Sequence, residues 1–292
     1  MEIVVPAHVV AMAATQDKSL GLVNYTEETT RAQDFVNPEN ALKRIRTLQR
    51  FTEIQGKRVL EIGSGFGISL ALLDNCFGAE AWGIEPSGVG FGNSLRASHE
   101  LLPANGISPY RAINAVGEHL PFPNESFDIV YSANVLEHTQ EPENVLREAV
   151  RVLKPGGLLH FEIPNYLSYF EGHYMVPMPP IFFRWMLPFW VRYIFRRDEA
   201  FAKTLQPLNP LWCRRQVRQM NKGGRKVKLE SLGEDLFLER LSKPFEFQMQ
   251  QVRGQLSGAI RILQFLNVGN WIGRTIVALQ GYYPIVMNLR KL

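Results

Sequence analysis

The sequence Val59-Leu60-Glu61-Ile62-Gly63-Ser64-Gly65-Phe66-Gly67 predicts a buried strand that runs into a glycine turn and then into a helix. Val59, Leu60 and Ile62 form the apolar run of a parallel strand that is covered on both faces. The three glycines can take positive φ angles and have no Cβ, so a ligand can lie directly against the backbone where the helix exposes its first N–H groups. Because such groups suit an anion, we expect a cofactor here.

The glycine spacing and one acidic residue discriminate between possible cofactors. Gly63, Gly65 and Gly67 occupy the first, third and fifth positions, whereas the dinucleotide fingerprint has its last glycine at the sixth position, which here is Ile68. Glu61 lies inside the strand, where a carboxylate disfavours a pyrophosphate but suits a cationic ligand. S-adenosylmethionine carries a sulfonium and an ammonium, and its own carboxylate can accept from the helix N–H groups. The pattern therefore favours S-adenosylmethionine over NAD.

A second acidic residue stands at the distance that a nucleotide ribose requires. The run Glu80-Ala81-Trp82-Gly83-Ile84-Glu85-Pro86 predicts the next strand, with an acid at its carboxyl end. Glu85 follows Gly63 by 22 residues, close to the ~20-residue interval at which an acid reaches the ribose hydroxyls. Glu61, the glycines and Glu85 together predict a nucleoside-binding edge of a parallel sheet.

Three further motifs follow along the chain, and they carry a family resemblance. They are Gly117-Glu118-His119-Leu120-Pro121-Phe122, Val135-Leu136-Glu137-His138 and Leu153-Lys154-Pro155-Gly156-Gly157. Over residues 57–163 the chain resembles the class I, Rossmann-like S-adenosylmethionine-dependent methyltransferases of the small-molecule type. The resemblance implies an α/β fold with a doubly wound, seven-stranded, mostly parallel sheet whose last strand is antiparallel, plus a helical and aromatic insertion after strand five.

The order of elements supports the same fold, because alternating strands and helices predict a parallel sheet with its ligand at the carboxyl ends of the strands. Asn37 and Pro38 predict the start of a helix that runs to about Phe51. We expect an N-terminal helical cap (1–55), a cofactor-binding core (56–163), and a lid with the last strands (164–292) that completes the same domain. The other predicted elements are helices over 68–77, 87–102, 142–153, 212–219 and 248–279, and strands over 81–85, 110–114, 127–132, 158–163, 227–231 and 283–288.

The resemblance also implies a set of cofactor-binding residues. At the adenine end the family usually has an acid and a small residue, where this chain has Val116 and Gly117, so backbone contacts from Gly117 and Glu118 are expected instead. The full set predicted to bind S-adenosylmethionine is Glu61, Gly63, Ser64, Gly65, Gly67, Glu85, Pro86, Gly117, Glu118 and Asn134.

Candidate catalytic residues follow strands four and five. Methyl transfer depends largely on alignment, and a general base is needed only if the acceptor must lose a proton. His138 is the first candidate base, although Glu137 and His138 can instead cap the following short helix. Glu171 and His173 form a second candidate pair in the loop where a lid would contact the acceptor, although a loop histidine is more often a surface residue. The spacing of His, Cys, Asp and Glu predicts no metal site.

Composition and charge limit the remaining function classes. The chain has 292 residues, 46% of them hydrophobic, and only two cysteines, which fits a reducing, cytoplasmic compartment. Residues 1–163 carry 13 basic and 20 acidic side chains, whereas residues 164–292 carry 19 and 8. The basic half can face an anionic partner such as phospholipid, or it can be a solvated surface.

The aromatic segment 181–197 is too short to span a bilayer, which takes ~20 residues. Arg184, Arg192 and Arg196 recur at multiples of four among Phe and Trp residues, including Phe182. This pattern is typical of an interfacial amphipathic helix and predicts peripheral membrane contact, while packing onto the domain as a lid is the alternative.

Nucleic acid is disfavoured as a substrate. Residues 132–135 lack the Pro-Pro-aromatic motif of base amino-group methylation, and no cysteine stands there for C5 methylation. The sequence therefore predicts a methyltransferase that acts on a small or lipid-like acceptor, by O-methylation with a loop His or Glu assisting proton removal. The alternative is a cofactor-binding protein without turnover or a membrane-associated interaction protein.

Overall fold

The structure is a computed structural model that describes residues 3–20, 36–88, 92–174, 176–181, 183–242 and 269–292. Its strands are β1 (Arg58–Ile62), β2 (Glu80–Ile84), β3 (Ala112–Ile113), β4 (Phe127–Ala133), β5 (Leu153–Ile163), β6 (Phe170–Glu171), β7 (Val176–Pro177), β8 (Val227–Ser231) and β9 (Ile285–Lys291). Its α-helices are α1 (Ala7–Leu20), α2 (Pro38–Gln49), α3 (Ile68–Asn75), α4 (Gly92–Ala104), α5 (Pro142–Val152), α6 (Met186–Phe189), α7 (Ala200–Thr204), α8 (Pro210–Lys222), α9 (Glu234–Ser242) and α10 (Gly269–Ala278).

A seven-stranded sheet organises the molecule, with the strand order β3-β2-β1-β4-β5-β9-β8. The pairs that join β3, β2, β1, β4 and β5 are parallel. Strand β9 lies between β5 and β8 and is antiparallel to both. The predicted seven-stranded sheet with an antiparallel last strand is thus confirmed. The strand order reverses between β1 and β4, and ligands of open α/β sheets bind at such a switch point.

Helices cover both faces of the sheet, as a doubly wound fold requires. Residues of α1, α2, α3 and α4 form one core with Val59, Ile129 and Tyr131 of the strands. Residues of α5 and α8 form the other core with Leu60, Val130 and neighbouring strand residues. Two helix starts follow directly from their sequences: Asn37 and Asn209 each accept a backbone N–H with their side chains, and each is followed by a proline. These caps fix where α2 and α8 begin.

Several predicted boundaries shift in the structure. The third strand, expected over 110–114, is reduced to Ala112–Ile113, because the preceding residues Pro109–Arg111 form a 3-10 turn. The fifth strand starts earlier than expected, because Leu153 already pairs with Phe127, and the two glycines after Pro155 lie in an irregularity of the ladder before Leu158 pairs with Ile129. The second predicted helix begins at Gly92 instead of Ser87, and residues 89–91 lie outside the described part. Most of the predicted 248–279 helix also lies outside it, and only α10 is observed there.

The insertion after β5 has a small hydrophobic core of its own. Among the described residues of the aromatic segment 181–197, the helical part comprises α6 and a π-helix, Trp190–Ile194, so it is shorter than the stripe of arginines from Arg184 to Arg196. Arg184 precedes this part, and Arg196 ends it at φ 52°; Phe182 lies outside the described residues. None of the helices in the described ranges is long and apolar enough to cross a bilayer. The core of the insertion consists of Tyr166, Tyr174, Val176, Met178, Ile181, Leu187, Val191, Ala202 and Leu205.

Candidate active site

The glycine turn after β1 is tied to the end of β2. The backbone N–H groups of Gly63 and Ser64 both donate to the carbonyl oxygen of Ile84, at 2.9 and 3.0 Å. The side chain of Ser64 is buried under Gly83, where an added Cβ would stand 2.7 Å from Ser64 Oγ. Ser64 therefore faces the sheet with its hydroxyl, and only its backbone remains on the ligand side.

The three predicted glycines differ in what surrounds them. All have positive φ, at 74° for Gly63, 51° for Gly65 and 82° for Gly67. A Cβ at Gly63 would collide with the side chain of Val135, and one at Gly67 would stand 3.0 Å from Cβ of Ser98. A Cβ at Gly65 would meet no atom of the described structure within 4 Å. Open space therefore adjoins Gly65, whereas the other two glycines permit close packing.

Glu61 is a buried carboxylate with an unsatisfied oxygen. It is 4% exposed, and Oε2 has no hydrogen-bond partner among the residues that the structure describes. Burial raises the pKa of Glu61 to about 8, with a further contribution from the charge of Glu85, while a hydrogen bond from Ser69 and the charge of Arg44 oppose the shift. A buried carboxylate oxygen without a donor is costly, and a cationic ligand group beside Oε2 would remove that cost.

Glu85 bridges the two strand ends that form the predicted cofactor edge. Its Oε2 accepts a 2.9 Å hydrogen bond from the N–H of Gly65, and the side chain is 5% exposed. Burial raises the pKa of Glu85 to about 7, against the opposing effect of this hydrogen bond. Pro86 follows at a partly buried position. The two predicted acids thus lie on neighbouring strands on either side of the glycine turn.

Gly117 and Glu118, the two residues predicted to contact the adenine, have different surroundings in the structure. Gly117 is buried, and a Cβ there would stand 3.1 Å from Val145 and 3.2 Å from Ile62, so the backbone can approach the sheet only because residue 117 is a glycine. Glu118 has turned its side chain away, and its Oε1 accepts from the N–H groups of Gln140 and Glu141 at 3.0 and 3.3 Å. Its carboxylate is engaged at the start of α5, and its backbone alone stays available.

The loop after β4 starts in a strained conformation next to the glycine turn. Asn134 has φ 55°, a left-handed value that asparagine tolerates better than most residues. Its N–H donates to the carbonyl of Glu162 at 2.9 Å. The next residue, Val135, packs on Gly63. The loop that carries Glu137 and His138 therefore begins in contact with the predicted cofactor turn.

The candidate catalytic residues of two separate loops meet in one cluster. Nε2 of His173 lies 3.3 Å from Nε2 of His138, and Nδ1 of His173 lies 2.6 Å from Oε1 of Glu171. The other oxygen of Glu171 accepts from the N–H of Tyr174 at 2.7 Å. Burial and the neighbouring His173 lower the pKa of His138 to about 3, so its ring is neutral at physiological pH. Sequence spacing had placed these residues in two independent loops.

Glu137 belongs to the same cluster through its side chain. It is fully buried, Oε1 lies 3.8 Å from Nε2 of His138, and neither oxygen has a hydrogen-bond partner within the described ranges. Burial raises the pKa of Glu137 to about 7, although the charge of His173 opposes the shift. The 3-10 turn Leu136–His138 turns this carboxylate inward. From the sequence alone, Glu137 was interpreted only as a residue that caps the following short helix.

Two polar residues near the site were missed by the sequence analysis. Arg44 of α2 has a raised pKa, because the charges of Glu162, Tyr131 and Glu61 outweigh the effect of burial. The hydroxyl of Tyr283 would stand 3.4 Å from a Cβ at Gly172, inside the loop that holds Glu171. Both come from elements far from the motifs in sequence, so no spacing rule could have placed them here.

The central part of the chain is similar in sequence to known proteins. Residues 60–161 match a family model described as a methyltransferase domain. An uncharacterised methyltransferase of Mycobacterium leprae is 34% identical over 120 residues, which are 41% of this chain and 42% of the relative. The chain spans less than half the length of the curated relatives that it matches.

Solved structures share the fold over a longer stretch. An S-adenosylmethionine-dependent methyltransferase from Mesorhizobium loti superposes with a TM-score of 0.50 at 16% identity, over 87% of this chain and 98% of the other. A phosphoethanolamine N-methyltransferase from Haemonchus contortus, bound to phosphomonomethylethanolamine and S-adenosylhomocysteine, gives 0.50 at 17% identity, over 94% of this chain and 59% of the other. At such identities the likeness concerns the fold alone.

Proposed function

We propose that this protein, whose residues 60–161 match a methyltransferase-domain family model, is a class I S-adenosylmethionine-dependent methyltransferase that transfers the methyl group to an oxygen of a small or lipid-like acceptor. One observation carries the proposal: the buried Glu61 carboxylate has an Oε2 without a partner among the described residues, and the charge of a second buried acid, Glu85, which holds Gly65, acts on it.

The residues at this edge fit S-adenosylmethionine group by group. Glu61 offers an anionic partner for the ammonium, and Glu85 offers two oxygens for ribose hydroxyls. The start of α3 offers N–H groups for the carboxylate of the cofactor, whereas those of Gly63, Ser64 and Gly65 already donate to Ile84 and Glu85. The missing Cβ of Gly117 lets this backbone segment pack closely on Val145 and Ile62, and the backbone groups of Gly117 and Glu118 are the contacts proposed for the adenine. The ammonium, the ribose hydroxyls and the carboxylate of the cofactor thus each have a protein group of opposite charge or matching hydrogen-bonding character.

The bound cofactor supplies an electrophilic methyl group whose sulfur leaves as a neutral thioether. The protein has to align the acceptor with that methyl group and exclude water, which can be worth ~7–11 kcal/mol. An acceptor hydroxyl must also lose its proton. The cluster of Glu137, His138, Glu171 and His173 offers proton acceptors for this step, and its loop touches the cofactor turn through Val135 and Gly63.

Calorimetry tests the cofactor half of this proposal. We expect S-adenosylmethionine to bind with micromolar affinity, and no binding, or preferential binding of NAD, would overturn the proposal. Turnover tests the other half, since a cofactor-binding protein without activity is the alternative. Methyl transfer to any member of a panel of hydroxyl-bearing lipids and small molecules supports an enzyme, while tight cofactor binding without transfer to any of them supports the alternative.

We also propose that the protein contacts an anionic lipid surface through its insertion. Four exposed rings form an aromatic ladder, Phe183, Trp185, Phe189 and Tyr193, with exposed fractions of 50–67%. Neighbouring rings contact each other, with the centroids of Phe189 and Tyr193 4.8 Å apart. Aromatic rings beside basic groups are typical of membrane interfaces.

Charge favours an anionic surface as the partner of the ladder. Residues 183–203 carry five Arg or Lys and two Asp or Glu. Leu187 and Val191, on the opposite side of the same segment, are buried in the core of the insertion with Tyr174, the neighbour of His173. The insertion would therefore connect a lipid surface with the loop that bears the proton-accepting cluster, which supports a lipid-like acceptor.

A further inference from the structure

We propose that Glu137, His138 and His173 form a binding site for one divalent transition-metal ion, such as Zn²⁺ or Mn²⁺. Each of these residues offers one ligand atom, and the three atoms lie within 4.8 Å of one another. The proposal specifies how the cluster acts in the function proposed above, and its catalytic half rests on that function. Its metal-binding half does not.

The spacing of the two histidine nitrogens suits a shared ion. Two nitrogens each about 2.1 Å from one ion, at angles of about 90–109°, lie roughly 3.0–3.4 Å apart. The observed separation of Nε2 of His138 from Nε2 of His173 is 3.3 Å. The rings meet edge to face, at an interplanar angle of 87°. Without an ion the two nitrogens form a hydrogen bond with each other, and a bound ion would replace the proton they share.

Glu137 supplies an independent reason for a cation at this place. Its carboxylate is 0% exposed and has no hydrogen-bond donor among the described residues, while Oε1 faces His138 at 3.8 Å. An ionised carboxylate buried without donors or a counter-charge is strongly destabilising, whereas a bound cation would supply the missing partner. The chain maintains this carboxylate within a few ångströms of two imidazole nitrogens.

Glu171 completes the arrangement as a positioning residue. Its Oε1 lies 2.6 Å from Nδ1 of His173, so this carboxylate can accept a hydrogen bond from Nδ1–H. In that tautomer Nε2 of His173 carries a lone pair and can bind a metal ion. Metal-bound histidines commonly have such a carboxylate on their other nitrogen, where it fixes the tautomer and the ring orientation. The second oxygen of Glu171 is held by the N–H of Tyr174, which fixes the carboxylate in turn.

Two histidines and one glutamate make a ligand set that leaves coordination positions open. Catalytic zinc sites have three protein ligands and keep a further position for water or substrate. The hydroxyl of the acceptor could take this position, and the metal ion would lower the pKa of that hydroxyl. The hydroxyl proton would then pass to water, an oxygen lone pair would form the new bond to the methyl carbon, and the sulfur of the cofactor would keep the electrons of the broken bond. The site therefore favours acceptors that carry a hydroxyl group.

Cobalt titration of the chelator-treated full-length protein tests the site without an acceptor. We expect one Co²⁺ per chain, visible by its d–d absorption, and displacement of that signal by Zn²⁺. The variants His138→Ala and His173→Ala should weaken Co²⁺ binding by at least about 10–100-fold. This is the range typical of changes to residues that hydrogen-bond metal ligands, and loss of a ligand itself costs no less. His119→Ala, which changes an exposed histidine outside the cluster, is the matched control and should bind as the wild type does.

Glu137→Gln separates a ligand role from a structural one. If Glu137 is a ligand, the variant loses Co²⁺ affinity but melts no lower than the metal-free wild type, because the neutral amide is cheaper to bury. A lower melting temperature together with unchanged Co²⁺ affinity would overturn the ligand role of Glu137.

The whole site is overturned if the wild type shows no saturable Co²⁺ signal, or if the signal survives both histidine variants. Calorimetry with S-adenosylmethionine on the same samples distinguishes this failure from failure of the proposed function. Cofactor binding without metal binding removes only the metal site. Metal binding without cofactor binding leaves the site standing and removes the methyltransferase proposal.

Discussion

The carboxylate of Glu85 accepts a 2.9 Å hydrogen bond from the backbone N–H of Gly65, so the acid that ends β2 holds the glycine turn that follows β1. Glu85→Ala removes this hydrogen bond and the oxygens proposed to hold the ribose. We expect the variant to lose S-adenosylmethionine affinity by at least about 100-fold, since two hydrogen bonds to a charged group are worth roughly 1.5–3 kcal/mol each. Isothermal titration calorimetry measures the change.

Glu80→Ala is the matched control for that experiment. Glu80 lies at the other end of the same strand, where its half-exposed carboxylate meets Arg58 and Trp82. Exposed ion pairs contribute about 0–1 kcal/mol, so a small loss of stability is expected with unchanged cofactor affinity. Equal loss of affinity in both variants would show that strand stability, and not the ribose contact, governs binding.

Gly65→Ala tests whether the open space at the turn belongs to the ligand. The new methyl group would meet no atom of the described residues within 4 Å, so its contact would be with the cofactor. Gly56→Ala is the matched control, because Gly56 also has a positive φ, of 71°, and equally open surroundings. Both variants should lose about 1 kcal/mol of stability through backbone strain. Only Gly65→Ala should weaken cofactor binding, and equal binding in both variants would contradict the proposed site.

Stability should depend on pH through Glu61, whose pKa in the folded protein is raised to about 8 by burial. The folded state then binds more protons than the unfolded state between about pH 4.5 and about pH 8, so this group lowers the free energy of unfolding as the pH rises. Glu61→Gln removes the effect. At the alkaline end of this window, the free energy of unfolding of the cofactor-free variant should exceed that of the wild type by roughly 1–4 kcal/mol. A shift of one pKa unit corresponds to about 1.36 kcal/mol.

Urea denaturation at both ends of that window measures the difference between Glu61→Gln and the wild type. The same variant should bind S-adenosylmethionine weakly at every pH, because the partner of the ammonium is gone. A gain in stability accompanied by loss of binding identifies Glu61 as a functional residue. A variant that is less stable at the alkaline end would instead show that the carboxylate stabilises the fold.

The aromatic ladder should govern binding to anionic vesicles. Trp185→Ala combined with Phe189→Ala removes two rings that are 64% and 50% exposed, so the fold should be unaffected. We expect the double variant to lose most of its sedimentation with phosphatidylserine-containing vesicles, and we expect the wild type to bind more weakly as salt rises. Trp271→Ala, at another tryptophan that is 70% exposed, is the control. Equal sedimentation of all three proteins would contradict lipid contact through the ladder.

Local sequence patterns sufficed for the central elements of the fold. The strand and helix that flank Gly63–Gly67 appear as predicted, because a buried parallel strand needs a continuous apolar run and a turn into a helix needs glycine at positive φ. Strand β8 has the predicted bounds. The prediction failed where neighbours override local pattern, as in the insertion, whose aromatic residues are divided between a small core and the surface.

The sequence by itself determined the glycine turn, the two acids Glu61 and Glu85, and the order of elements that makes an open α/β sheet, since these depend on contacts a few residues apart or on strand periodicity. Only the tertiary structure decided that Glu137 and His138 meet His173 and Glu171, whose loops are separated by the whole of α5 and β5. It also brought Arg44 and Tyr283 to the same edge of the sheet. Such contacts depend on strand order and on the packing of elements distant in sequence. Neither can be predicted from the sequence separation of the residues that meet.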